Sequence, residues 1–156
     1  MPLDETAKLS TIVRSLKKYL VDSLYTTESI QLDFDKSYQD VYEALPDRVD
    51  QWVIVAFDPS NMDTLSAMGF TLFLYSRKDP EAVDLFALRD KVMAYLVDVT
   101  QTDSMARINL YNAAWGIVGA AVIVLPAGRQ ESSNFVAEDG TKFRYISAIL
   151  RWGAKV

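Results

Sequence analysis

The sequence predicts an α+β domain, a mostly antiparallel mixed sheet flanked by two helices, and three observations predict it. The hydrophobic period changes after residue 24 from helical spacing to two-residue alternation. A second helix with a marked start follows residue 79. From residue 106 onward only strand patterns appear, without the regular βαβ alternation of a parallel sheet. The 156 residues suit a single domain over 1–156, long enough to bury a core without disulfides.

Residues 5–24 read as the first helix. Leu9, Ile12, Val13, Leu16, Leu20 and Leu24 recur on one stripe, and Asp4 or Thr6 can cap the start. Arg14, Lys17 and Lys18 lie off that stripe and read as a solvated basic face. Ile30, Leu32 and Phe34 alternate with polar residues, as in a half-buried strand. Residues 36–50 read as a loop with a helical turn around Tyr38–Leu45. Gln51–Phe57 is a β-branched apolar run, closed by the turn residues Asp58–Asn61. Residues 64–76 form the next strand, with Gly69 at a bulge.

The second helix is predicted with Asp79 as cap and Pro80 at its first position. Its buried stripe is Leu85, Leu88, Val92, Tyr95, Leu96 and Val99. Residues 106–112 and 115–125 are strands, the second apolar enough to be buried on both faces. Residues 133–138 and 141–152 form a hairpin around Asp139-Gly140. Trp115 and Trp152 read as core residues, with an interface anchor as the alternative role.

The chain has no histidine and no cysteine. Histidine is the usual general base near neutral pH, and the pair supplies most soft nucleophiles and transition-metal ligands. Ser-His-Asp triads, Cys-His pairs, zinc fingers, haem ligands and disulfides are thereby excluded. No catalytic, cofactor or metal site is expected, and the function points toward binding. Gly116, Gly119 and Gly128 match no phosphate-loop spacing. Asp33-Phe-Asp35-Lys-Ser37 resembles the start of a calcium loop, but Tyr38 stands where the turn needs glycine and Ala44 where the ion needs glutamate. A weak surface site for a divalent cation and a carboxylate-dependent enzyme stay open as lesser readings. The first ten residues carry acids and no apolar core, which argues against a signal peptide, and no stretch is long and apolar enough for a membrane span.

Charge is the more telling pattern. The net charge of −5 argues against non-specific nucleic-acid binding. Residues 28–63 carry nine acids against Lys36 and Arg48, whereas residues 104–156 are net basic. Such polarity suits a head-to-tail contact between copies.

The layout resembles the tail terminator family of long-tailed bacteriophages. The features that carry the resemblance are TAKLSTIVRSLKKYL, an acidic strand region ending in QWVIVAFDP, the strand-to-helix run TLFLYSRKDPEAVDLFALRDKVMAYL, and the closing DGTKFRYISAILRWGAKV. Together they span nearly the whole chain. The resemblance implies a non-enzymatic virion protein, assembled in the host cytoplasm, that forms a hexameric ring at the head-proximal end of the tail. The ring would stop growth of the tube protein, face the head connector or completion protein, and pass genomic DNA without binding it specifically. Asp33, Asp35, Asp40, Glu43, Asp47 and Asp50 would face the lumen or a neighbouring subunit, with Arg144 and Arg151 as their basic counterparts. Loops 36–50 and 126–134 would become ordered on assembly. Neighbouring neck and tube subunits, and a non-viral adaptor domain, are the alternatives.

Overall fold

A computed structural model describes residues 2–63, 65–126 and 131–155. Two long helices cover one face, and a short helix part of the other, of a curled sheet whose strands run in the order β1-β2-β3-β7-β5-β4, with β6 paired to β7. The strands are β1 (Gln31–Phe34), β2 (Gln51–Asn61), β3 (Leu65–Ser76), β4 (Ala106–Tyr111), β5 (Ile117–Val124), β6 (Phe135–Val136) and β7 (Lys142–Gly153). The helices are α1 (Leu9–Leu20), α2 (Tyr38–Ala44) and α3 (Val83–Leu96). Every strand pair is antiparallel except β1 with β2. The α+β class and the largely antiparallel mixed sheet are therefore as the sequence predicts.

The helical stripe of α1 buries Ile12, Leu16 and Leu20 completely, and α3 does the same with Leu85, Leu88, Val92 and Leu96. Both pack on Val53, Val55, Phe70, Leu72, Leu74, Ile146 and Leu150, the alternate residues of β2, β3 and β7 that share one face. Tyr19 ties the two helices by donating to the Tyr95 carbonyl at 2.6 Å. The second face carries a smaller cluster. Trp52, Ile54 and Tyr75 are buried there beneath Val41 of α2, with Tyr38 and Tyr42 at its margin.

Local sequence explains where the boundaries move. The first helix does not run unbroken over 5–24. A 3₁₀ turn at Glu5–Ala7, capped by Asp4, precedes α1, and a π-helical turn at Val21–Thr27 ends it. β2 does not close at Asp58 but continues to Asn61 through a bulge between Phe57 and Ser60. Pro59 lies inside that bulge, where its missing N–H costs no ladder bond. Gly69 stands in β3 across from that bulge, as the sequence places it, and its pairing with Ile149 on the other side is regular. Its role is close approach, because a Cβ there would meet the Asp58 Cβ at 3.0 Å.

Asp79 caps the last main helix as predicted, but from a turn further back. Its carboxylate accepts from Leu85 N at 2.8 Å and Asp84 N at 3.3 Å, while Ala82 takes a left-handed φ of 61°. The helix begins at Val83, so Pro80 belongs to the preceding turn, and it ends at Leu96. Val99 is 85% exposed and lies outside the buried stripe. β5 is not buried on both faces: Ile117 is exposed, and only Ala121 and Ile123 are buried.

Candidate functional site

The acidic residues that the sequence singles out gather in two places. Asp33 and Asp35 belong to the β1 edge. Asp33 pairs with Lys36 at 3.1 Å, and Asp35, with φ 54°, donates its N–H to the Val55 carbonyl at 2.7 Å. Asp40 and Glu43 lie exposed on α2, and Asp47 and Asp50 on the segment that follows. This region is more structured than the predicted loop. Ser37 caps α2 through its Oγ, which accepts from Asp40 N at 3.2 Å. Tyr38 stacks near Trp52, Tyr42 and Tyr75 and donates its hydroxyl to Asp139 at 2.6 Å. Asp50 pairs with Lys78 at 3.4 Å, and the Asp47 carbonyl accepts from the same ammonium.

Burial and hydrogen bonding set the titration of this anchor. Burial, with the bond to Asp139 second, pushes the Tyr38 hydroxyl well above the usual tyrosine range. Burial alone takes Tyr75 up to about 12. Burial would raise Asp139, but bonds from Tyr38 and Thr141 outweigh it and hold the carboxyl low.

The two arginines diverge. Arg144 is cross-strand to Leu74 on the helix-covered face. Its guanidinium binds Glu131 at 3.3 Å, the Ser132 carbonyl and Asn134, and lies over Phe86. Arg89 completes this cluster with two bonds of 2.7 Å to Glu131. The hydrogen bonds from Arg89 hold Glu131 below the ordinary carboxylate value. Arg144 thus fastens the β6–β7 hairpin to α3. Of the predicted loop 126–134, residues 127–130 lie outside the described residues. Arg151 points instead from the opposite face and is exposed. It shares a cross-strand row with Val122 and Arg107 at the far end of the sheet.

A further surface was not singled out as a site. A groove of about 830 Å³ runs along the outer side of α1, lined by Ser10, Val13, Arg14, Lys17, Lys18, Val21, Asp22 and Trp115. Lys17 lies over Phe34 and Phe57, and Lys18 over Tyr111 and Trp115, so aromatic rings flank both ammonium groups. Trp115 is 55% exposed and is no core residue. It sits at φ 64° on a turn pinned by Asn112, whose Oδ1 accepts from Ala114 N at 3.0 Å and Gly116 N at 2.8 Å. Asn-Ala-Ala-Trp-Gly carried this signal, since Asn and Gly favour a turn that lifts the intervening side chain outward. Trp152, by contrast, is buried, and its Nε1 donates to the Thr6 carbonyl at 2.9 Å.

Chemically, these surfaces offer charge and aromatic faces. Among the described residues no three carboxylates group as a metal cradle, and no helix is long and apolar enough to cross a membrane. No family model matches the chain, and no curated protein matches it. A solved structure of a protein without a functional name is similar over 96% of this chain and 98% of its own, with 7% identity and a TM-score of 0.55. At that identity the likeness speaks for the fold alone.

Proposed function

We propose that the chain is a structural subunit of a bacteriophage virion, a tail terminator whose closed ring caps the tail tube and receives the head connector. It works by binding, with no chemical step. The reading rests on the layout it shares with that family, and one observation carries it further. Large apolar side chains are exposed at several separate places: Leu65 at the start of β3, Val99 after α3, Trp115 and Ile117 before and within β5, and Val136 on β6, each more than half exposed. Single exposed apolar residues are ordinary on a monomer and a two-fold dimer needs one patch, so what bears on the reading is their spread over β3, β5, β6 and the segment after α3. A ring subunit held between two like neighbours, a tube and a connector needs several.

Negative-stain electron microscopy of the purified protein tests the reading. Single closed hexameric rings are expected. Long tubes would assign the chain to the tube itself, and isolated monomers or closed dimers under all concentrations and Mg²⁺ levels would overturn the ring.

A further inference from the structure

Two surfaces of opposite charge lie on opposite sides of the sheet. α1, with its basic outer groove, packs on the face of Val53, Phe70 and Leu72. α2, with Asp40 and Glu43 outward, packs on the face of Trp52, Ile54 and Tyr75. The two cannot meet within one molecule. We propose that α2 of one copy docks in the α1 groove of the next, which rests on the ring reading above and supplies its contact.

Charge argues first. Asp40 and Glu43 have no ion pair among the described residues, and neither do Arg14 and Lys17. Lys18 pairs only with its neighbour Asp22. Unpaired charges of both signs on facing surfaces favour encounter and fix register. Size agrees. The seven residues of α2 make a helix of roughly 10 Å, and the groove follows α1 from Ser10 to Asp22, about 18 Å. The exposed Trp115 supplies an aromatic anchor at the wall. Direction follows from placement. Because groove and α2 point away from each other, one pair of molecules makes a single contact and leaves a groove at one end and an α2 at the other. Such an interface propagates until a ring closes. Nucleic acid is the competing polyanion. A chain of net charge −5 with three groove cations, one already paired, suits an acidic protein surface better.

Sedimentation of charge-reversed full-length chains tests this. Arg14→Glu with Lys17→Glu spoils the groove, and Asp40→Lys with Glu43→Lys spoils the docking helix. Each double variant should self-associate roughly tenfold more weakly than wild type, or worse. Mixed together, they offer one wild-type contact and one contact with both charges reversed, so the two should co-assemble in alternation where neither assembles alone. The chain with all four reversals should assemble again, which separates the effect from misfolding. If either double variant assembles as wild type does, the contact lies elsewhere and the ring reading stands. If wild type itself never associates, both fall. Binding of random duplex DNA by wild type, lost in the groove variant, with assembly unchanged, would give the groove to nucleic acid instead.

Discussion

The two faces of the sheet are built in opposite ways. One is sealed by two long helices that bury Ile12, Leu16 and Leu20 from α1 and Leu85, Leu88, Val92 and Leu96 from α3, although Leu9 at the start of the α1 stripe stays exposed. The other carries a seven-residue helix held by aromatic stacking, and beyond it the face is partly open, with Tyr145 and Arg151 reaching solvent. The sealed face holds the fold, while the exposed acids of α2 and the outer side of α1 carry the side chains left for partners.

The largest effect that could break this division is a core deletion. Phe70→Ala on the sealed face should cost about 3–5 kcal/mol in denaturant unfolding. Tyr38→Ala on the other face should cost about 2 kcal/mol, from lost ring contacts and the bond to Asp139. Equal costs would make the second cluster as structural as the first. The arginines sharpen the same comparison. Arg144→Glu places like charge beside Glu131 and should destabilise the monomer by roughly 2 kcal/mol. Arg151→Glu should leave monomer stability within about 0.5 kcal/mol, and weaken assembly if it meets a neighbour. Thermal unfolding of dilute monomer together with assembly assays separates the two. Reversal of Arg144 is thus a test of the fold, and only reversal of Arg151 bears on the interface.

Smaller effects probe the bulge and the hairpin. Gly69→Ala must displace Asp58, whose Oδ2 accepts from Thr71 at 2.8 Å, and should cost about 1–2 kcal/mol. Gly140→Ala strains a φ of 88° with open space around it, for about 1 kcal/mol. The smallest is the acid response of the Arg89–Glu131–Arg144 cluster. Glu131 titrates lower when folded, so its contribution is complete above the ordinary value of 4.5 and is lost as pH falls through the folded value. Wild type should therefore lose more stability on acidification below pH 4.5 than Glu131→Gln does. Parallel acid curves would remove Glu131 from the account.

The helices and most strands were legible because their burial is periodic and local. Ile12, Leu16 and Leu20 are buried together because the helical repeat puts them on one side. What escaped depends on distant partners. The helical turn around Tyr38–Leu45 was legible, but not its anchoring by Trp52, Tyr75 and Asp139 from elsewhere in the chain. Pro59 reads as a strand end until the glycine across from the bulge is seen. The acid run marked one surface directly. Its basic counterpart on α1 looked like an ordinary solvated face, because the groove needs Trp115 from a turn far along the chain. Arg144 read as a counterpart of the acid run for the complementary reason: Glu131, which engages it, is itself held by Arg89 from 42 residues away.

The central claim, that the chain builds a closed ring through head-to-tail contacts between oppositely charged surfaces, is tested most directly by the solution mass of the wild-type protein across concentration and salt. The account predicts one closed multi-subunit species at low salt that dissociates toward monomer as salt screens the contact. A species that stays a monomer, or a closed dimer indifferent to salt, would contradict it.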